Sequence, residues 1–175
     1  GFVKIALDAS ANIFITSMVH QSSTPDYDPG AGVVNITHGS LTSSFFVLKL
    51  DASGNIEWQN TIGGTGSDIV NKVMQASDGE YMIAGTSSSP LSGDKTEATM
   101  GLDDYWLVKI DELGVIKWDN TIGGNKSDNL VDVQVTNDNG YMLGGYSSTN
   151  VNGDKTISGF GRPKLSNKLI STIKT

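Results

Sequence analysis

The 175-residue sequence has no cysteine, four prolines, two histidines and no long apolar run. Without cysteine, a disulfide framework, a thiolate zinc site and a cysteine nucleophile are all excluded. The hydrophobic share of 37% is enough for a buried core, and it is too low for a chain that spans a membrane. The first residues show neither a basic region nor an apolar signal segment, so we expect a processed mature form or a fragment.

Small and turn-forming residues are abundant instead. Glycine occurs 21 times, and serine, threonine, asparagine and aspartate separate short runs of β-branched and aromatic residues. Short strands joined by tight turns need this mixture. The composition therefore predicts an all-β fold.

Charge is divided unevenly along the chain, whose net charge is −7. Residues 1–160 carry all 19 acids and 8 of the 12 bases, a net charge of −11, whereas the last fifteen residues carry four bases and no acid. An acidic body repels phosphate backbones. We therefore expect no nucleic-acid partner.

An internal repeat is the strongest signal in the sequence. Residues 45–96 align without a gap to residues 105–156 at an offset of 60, with 23 identities in 52 positions. Unrelated segments would share roughly 3. A diverged earlier copy begins near Asp8. The identical blocks include Trp58 with Trp118, Thr61–Gly64 with Thr121–Gly124, Tyr81-Met82 with Tyr141-Met142, and Gly93–Thr96 with Gly153–Thr156.

Each period contains four short strand-like runs separated by turn signals. In the second period these are Asn71–Gln75, Tyr81–Thr86, Tyr105–Asp111 and Val115–Ile122. Four antiparallel strands per period predict a β-propeller-type repeat of about 2.5–3 blades, in an incomplete or open ring. A β-helix and a single sandwich remain as alternatives. We predict a diverged first blade over residues 1–64, a second over 65–124, a partial third over 125–160 and a basic non-repeat tail over 161–175.

A recurring turn pattern consists of Asp, two residues, Gly, three residues and Trp. The Asp carboxylate accepts turn amides, the Gly takes a positive φ, and the Trp packs between blades. The spacing resembles the tryptophan-docking pattern of quinoprotein propellers. The chain is too short for their closed ring and lacks a second cofactor element, so we expect no quinone cofactor. The two copies are Asp51, Gly54 and Trp58, and Asp111, Gly114 and Trp118.

Two longer blocks resemble known repeats. Asp28–Thr37 (DPGAGVVNIT) followed by Phe45–Asn55 (FFVLKLDASGN) is similar to the bacterial seven-bladed β-propeller repeat family. Tyr105–Asp111 (YWLVKID) and Asp138–Tyr146 (DNGYMLGGY) resemble repeats of large Bacteroidota surface proteins, which the type IX secretion system often exports. The resemblance implies an extracellular or cell-surface scaffold and carries no catalytic residue to this chain.

Candidates for active chemistry are few. His20 and His38 lack a partner at metal-ligand spacing, so we expect neither a metal site nor a histidine-based catalytic site. Loop aspartates such as Asp68, Asp94 and their copies Asp128 and Asp154 recur once per blade, which favours turn capping over an active site. Loop oxygens leave calcium open, although no segment matches the twelve-residue calcium loop. We expect no catalytic residue, no enzyme activity and no required cofactor.

Two functions agree with these observations. The first is a non-catalytic interaction module that presents loops to a protein, completed by further blades from a longer chain or a homo-oligomer. The second is a lectin-like, polysaccharide-binding propeller, and a glycan-acting enzyme is a third reading. Exposed aromatic rings would stack on sugars in the second. The candidate ligand-binding rings are Phe46, Tyr105, Trp106 and Tyr146.

Overall fold

A computed structural model describes residues 3–20, 42–148, 152–154 and 168–173. These residues form β-strands joined by turns and loops, with no helix among them. In particular, no helix in the described part of the chain is long and apolar enough to cross a membrane. The strands are β1 (Lys4–Leu7), β2 (Ile13–His20), β3 (Ser43–Leu50), β4 (Ile56–Ile62), β5 (Asp68–Gln75), β6 (Tyr81–Ser87), β7 (Asp104–Ile110), β8 (Ile116–Ile122), β9 (Asp128–Val135), β10 (Tyr141–Ser147) and β11 (Lys168–Ile173).

The strands form three antiparallel sheets that follow the chain in order. The first two sheets have the strand orders β1-β2-β3-β4 and β5-β6-β7-β8, and the third has β11-β10-β9. Each sheet is one blade, so the predicted all-β, propeller-type architecture with an open arc of blades is confirmed. The four strands predicted for the second period agree with β5 to β8 to within a few residues.

The basic segment 161–175 supplies the third strand of the last blade. Ile173 of β11 is paired with Tyr141, as Ile110 of β7 is paired with Tyr81. The stretch from Tyr141 to Ile173 is three residues longer than the equivalent stretch from Tyr81 to Ile110. In addition, β11 has no aromatic residue where β7 has Tyr105 and Trp106. The third blade therefore extends beyond residues 125–160, into the segment predicted as a non-repeat tail.

Two apolar cores fill the seams between neighbouring blades. The third strands β3 and β7 are buried along their whole length. Both faces of β7 lie in a seam, whereas one face of β3 lies in the first seam and the other belongs to a separate buried cluster with Val19. This explains their continuous apolar runs, which differ from the alternation of a half-exposed strand. The first seam includes Phe14, Phe45, Val47, Val73, Tyr81, Ile83 and Trp106; the second includes Met82, Tyr105, Leu107, Leu130, Val133, Tyr141 and Leu143.

The turn between the third and fourth strands has the same geometry in the first two blades. The Asp51 carboxylate accepts hydrogen bonds from the amides of Ser53 and Asn55, each at 2.8 Å. Asp111 accepts the equivalent two amides of its own turn. Gly54 and Gly114 both have a positive φ, of 87° and 79°. Glycine takes this conformation without a steric penalty, which accounts for its recurrence.

Candidate interaction surface

The blades present two rims, at opposite ends of the strands. One rim, here the turn rim, carries the five-residue turns 8–12, 51–55, 76–80, 111–115 and 136–140. The other, the loop rim, carries the links 63–67 and 123–127 between blades and the long loop 88–103 of the second blade. Loops on a rigid scaffold are where binding residues concentrate. The loop 88–103 is therefore the main candidate for a binding segment.

The first anchor of this loop lies on the link that follows the first blade. The Asp94 amide donates to the Gly63 carbonyl at 3.0 Å, and the Gly63 amide donates to Asp94 Oδ2 at 3.0 Å. Nearby, the Thr65 amide donates to Ser92 Oγ at 3.0 Å. Gly93 has a φ of 59°, and a Cβ there would lie 2.2 Å from the Gly63 carbonyl oxygen. The close approach requires glycine.

The second anchor is the buried side chain of Lys95. Its ammonium lies 5.1 Å from the ring centre of Trp106 and bonds to Thr121 Oγ1. Burial lowers the pKa of Lys95, while the negative charges of Asp119 and Asp68 act in the opposite direction. A cation held over an indole ring away from water is a strong contact.

Asp119 completes this anchor from strand β8. Its Oδ2 atom accepts the indole N–H of Trp106 at 2.9 Å and the amide of Thr96 at 3.1 Å. Thr121, two residues further along β8, donates its amide to Glu97 Oε2 at 2.8 Å. These hydrogen bonds hold the middle of the loop against its own blade. Asp119 and Lys95 are both buried beneath it.

The third anchor lies on the link that follows the second blade. The Met100 amide donates to Asp104 Oδ2 at 2.6 Å. A Cβ on Gly101 would lie 2.4 Å from the Gly124 carbonyl oxygen and 2.3 Å from that of Lys126. The loop thus extends from the seam with the first blade to the seam with the third.

Three apolar side chains of this anchored loop face solvent. Leu91, Met100 and Leu102 are all exposed, although the backbone around them is fixed by the three anchors. Exposed apolar residues on a pre-organised backbone favour binding, because little conformational entropy is lost when a partner covers them. We take these three residues as the candidate interaction surface.

Buried carboxylates lie beneath the loop rim. Asp68 accepts hydrogen bonds from the Gly64 amide and from Ser89 Oγ. Asp104 is equally buried, but its Oδ1 atom has no hydrogen-bond partner among the described residues. Burial raises the pKa of Asp104, and the negative charge of Asp128 raises it further. In the described ranges, no three or more histidine or acidic side chains are grouped so that they could hold a metal ion.

Three of the four aromatic residues predicted to bind a ligand are buried: Tyr105 and Trp106 lie in the seams, and Phe46 lies in a separate cluster on the other face of β3. Phe46, Tyr105 and Trp106 have no exposed surface, so no sugar ring can reach them in this arrangement. The sequence did not reveal this burial, because a strand that is covered on both faces and a strand that exposes its aromatic side chains can have the same sequence pattern. Tyr146 alone of the four is exposed. His20 is the last residue of β2, and His38 and Asp28–Thr37 lie outside the described residues.

The two predicted packing tryptophans lie against the following blade. Trp58 donates its indole N–H to the Glu112 carbonyl at 2.8 Å, and its ring meets Phe14 edge-on. A Cβ on Gly114 would lie 3.1 Å from the same ring. Trp118 has an edge contact with Tyr141 of the third blade, with ring centres 6.4 Å apart. Each tryptophan thus joins two blades.

The repeated Gly-Asp-Lys-Thr motif has a role that the sequence reasoning missed. Turn capping predicts only local contacts for Asp94 and Asp154, but both reach the link that precedes their blade. Asp154 repeats the contact of Asp94, since its amide donates to the Gly123 carbonyl at 2.9 Å and its Oδ2 accepts the Gly123 amide at 3.1 Å. One feature of the sequence could have indicated this contact: the Gly-Asp-Lys-Thr motif and the Ile-Gly-Gly segment of the link both recur at the same 60-residue offset.

Comparison with known proteins supports the architecture at a coarse level. No protein-family model matches the chain. An uncharacterized WD repeat-containing protein of Acanthamoeba polyphaga mimivirus is 29% identical over 91 residues, which is 50% of this chain and 7% of that protein. The chain therefore corresponds to a small part of this relative's length. The similarity and the three antiparallel sheets together indicate a β-propeller-like repeat.

Proposed function

We propose that this chain is a non-catalytic scaffold that binds a protein partner through the loop rim of its second blade. The observation that supports this most is the loop 88–103, which is anchored at both blade seams and exposes Leu91, Met100 and Leu102. The contacts that anchor the loop use backbone amides and buried side chains. The three exposed apolar side chains take no part in them and are free to contact a partner.

The chemistry of the surface favours a protein over a polysaccharide. Protein interfaces have an apolar centre, which aliphatic side chains supply, whereas sugar binding relies on exposed ring faces. The rings of Phe46, Tyr105 and Trp106 are buried. Polysaccharide binding therefore depends on Tyr146 alone among the predicted residues, and we place it second.

Quantitative affinity capture tests the proposal. The chain, its Leu91→Asp/Leu102→Asp double variant and a Leu113→Asp control on the turn rim are immobilised and exposed to extract from the source organism. Leu113 is as exposed as the two loop leucines. We expect at least about a tenfold loss of the captured protein for the double variant alone, as charges in an apolar interface centre cost more than about 1.4 kcal/mol. Equal capture by all three forms contradicts the proposal, and binding to a glycan array supports the polysaccharide alternative.

The proposed location is extracellular or at the cell surface. Its support is the resemblance of Tyr105–Asp111 and Asp138–Tyr146 to repeats of exported surface proteins. Protease treatment of intact cells provides a test, because a surface protein is cleaved and a cytoplasmic one is protected. Protection of the full protein in intact cells, with cleavage after lysis, would contradict this location.

A further inference from the structure

The charges that the loop 88–103 presents to solvent are all negative. Asp94 and Glu97 are exposed and Asp103 is partly exposed, and these three are here called the loop acids. They lie in the same loop as the three exposed apolar side chains of the interaction surface. Lys95 is the only base of this loop, and it is 2% exposed. The loop therefore combines exposed apolar groups with exposed carboxylates.

The positive charge of Lys95 acts below this surface. The negative charges that favour its protonated form include those of Asp119, Asp68 and Asp104, and all three carboxylates are buried. Lys126, on the link after the second blade, is the only other base of the loop rim and is exposed. Three acids and one base of this rim thus face solvent, which gives 1 − 3 = −2. A partner meets a negative surface.

The acids of the turn rim have a different arrangement, because several of them are neutralised within the chain. Asp78 and Glu80 both pair with Lys109, at 2.6 and 3.4 Å. Asp111 pairs with Lys117 at 3.7 Å. In the described part of the chain, no ion pair includes one of the loop acids. The negative charge of the loop acids therefore remains available to an external cation.

Apolar and acidic side chains alternate along the loop 88–103. Asp103 directly follows Leu102, and Glu97 lies three residues before Met100. Protein interfaces combine an apolar centre with a polar rim. Complementary charge at that rim speeds encounter and suppresses partners of the same sign. A partner that fits this loop needs aliphatic groups and positive charge close together.

We propose that the partner presents aliphatic side chains flanked by lysine or arginine to the loop 88–103. This inference rests on the proposed function and adds the chemistry of the partner. The aliphatic residues cover the exposed apolar side chains of the loop, and the basic residues pair with the loop acids. An acidic partner surface is repelled by the same carboxylates.

The charge of the loop can be removed while its hydrogen bonds are kept. Each loop acid accepts a hydrogen bond that the oxygen of an asparagine or glutamine amide also accepts. The donors are the amides of Gly63 and Thr121 and the hydroxyl of Ser127. The loop-neutral variant is Asp94→Asn/Glu97→Gln/Asp103→Asn. Circular dichroism and thermal melting verify that it folds as the parent chain does.

A matched control loses the same amount of charge away from the loop rim. Glu112 and Asp138 lie on the turn rim, and Asp132 lies in β9. The ion pair of Asp132 with Lys72 is exposed, so its loss has little effect on stability. The control variant is Glu112→Gln/Asp132→Asn/Asp138→Asn. It separates the charge of the loop from the net charge of the chain.

A random peptide library displayed on phage serves as the probe. Peptides selected on the parent chain should be enriched, relative to the unselected library, in aliphatic residues next to lysine or arginine. Selection on the loop-neutral variant should retain the aliphatic enrichment and lose the basic one. The control variant should select the same peptides as the parent. Peptides selected on the parent should not bind the Leu91→Asp/Leu102→Asp variant.

Fluorescence anisotropy of the most enriched peptide measures the contribution of the charges. We expect binding to the loop-neutral variant to be about tenfold weaker than to the parent, because three exposed charge pairs are lost. Binding to the control variant should be unchanged. The difference between loop-neutral variant and parent should shrink in about 1 M salt, where the Debye length is about 3 Å.

The outcomes distinguish this inference from the proposed function. Aliphatic peptides without basic enrichment, or equal binding to the parent and the loop-neutral variant, overturn the inference and leave the loop-rim function standing. Peptides that bind the Leu91→Asp/Leu102→Asp variant as well as the parent overturn both. A library that yields no enriched peptide overturns the inference, and capture from extract then decides the function separately.

Discussion

The ammonium of Lys95 lies 5.1 Å from the ring centre of Trp106, and both side chains are buried. The lysine belongs to the loop 88–103 and the tryptophan to the strand β7, so this contact fastens the loop to the blade. Desolvated cation–π contacts contribute about 2 kcal/mol. Replacing Lys95 by Ala should therefore lower the free energy of unfolding by about 2 kcal/mol, as measured by urea denaturation.

A Lys95→Met variant is the matched control for this prediction. Methionine retains an apolar stem against Trp106 but lacks the ammonium group, so it separates packing from the cation–π contact. We expect the methionine variant to be more stable than the alanine variant and less stable than the parent. If all three unfold at the same urea concentration, the contact does not stabilise the fold.

Replacing Trp58 by Ala should have a larger effect. The ring packs on Phe14, and the indole N–H donates to the Glu112 carbonyl of the next blade. Truncation of a fully buried tryptophan costs about 3–5 kcal/mol, and the partly buried Trp58 should lie near the lower end of this range. Trp58→Phe keeps most of the packing and should lose less. A thermal midpoint that moves by less than about a degree or two in the alanine variant would contradict the packing role.

The blades were predictable from the sequence because their determinants are local. The turn of Asp51 and Gly54 and the short apolar runs lie within a few residues of each other, and the 60-residue offset repeats them. The anchors of the loop were not predictable in this way, because Asp94 bonds to Gly63 across 31 residues. In the sequence, an aspartate that bonds to a distant link cannot be distinguished from one that caps its own turn, because both have the same local neighbours.

The predicted aromatic surface shows a second limit of the sequence. Tyr105 and Trp106 are neighbours on β7 and point to opposite faces, as residues in a strand do. Sequence alone does not show that both faces are covered, because this depends on the blades on either side. The strand β11 was not predicted for a related reason. Its own composition gives little indication of a strand, and it is recognised by its pairing with β10.

Two glycine positions should respond very differently to alanine. Gly54 has a φ of 87°, and a Cβ added there would have no atom within 4 Å, so Gly54→Ala adds only backbone strain of about 1 kcal/mol. Gly93 has a φ of 59°, and its Cβ would lie 2.2 Å from the Gly63 carbonyl oxygen. Gly93→Ala should therefore destabilise the protein clearly more than Gly54→Ala in thermal melts. Equal shifts would mean that the loop does not approach Gly63 closely.

Replacing Asp104 by Asn should change how stability depends on pH. Burial raises the pKa of the Asp104 carboxyl above its ordinary value of 3.8. The folded state therefore holds this proton more tightly, and its contribution to stability, complete below pH 3.8, is lost as pH rises through the folded pKa. We expect Asp104→Asn to melt higher than the parent at pH 7, with the difference disappearing near pH 3.8. A lower melting temperature at pH 7 would contradict a net cost of burying this charge.

Hydrogen–deuterium exchange of the loop 88–103 tests the account most directly, because the proposed function depends on this loop being fixed. The amides of Asp94, Thr96 and Met100 donate to Gly63, Asp119 and Asp104. Amides held in this way exchange only when the structure opens, so peptides from the loop should be protected nearly as well as those from β7. The Lys95→Ala variant should lose protection in the loop while β7 stays protected. Exchange of the parent loop at the rate of an unstructured peptide would contradict the account.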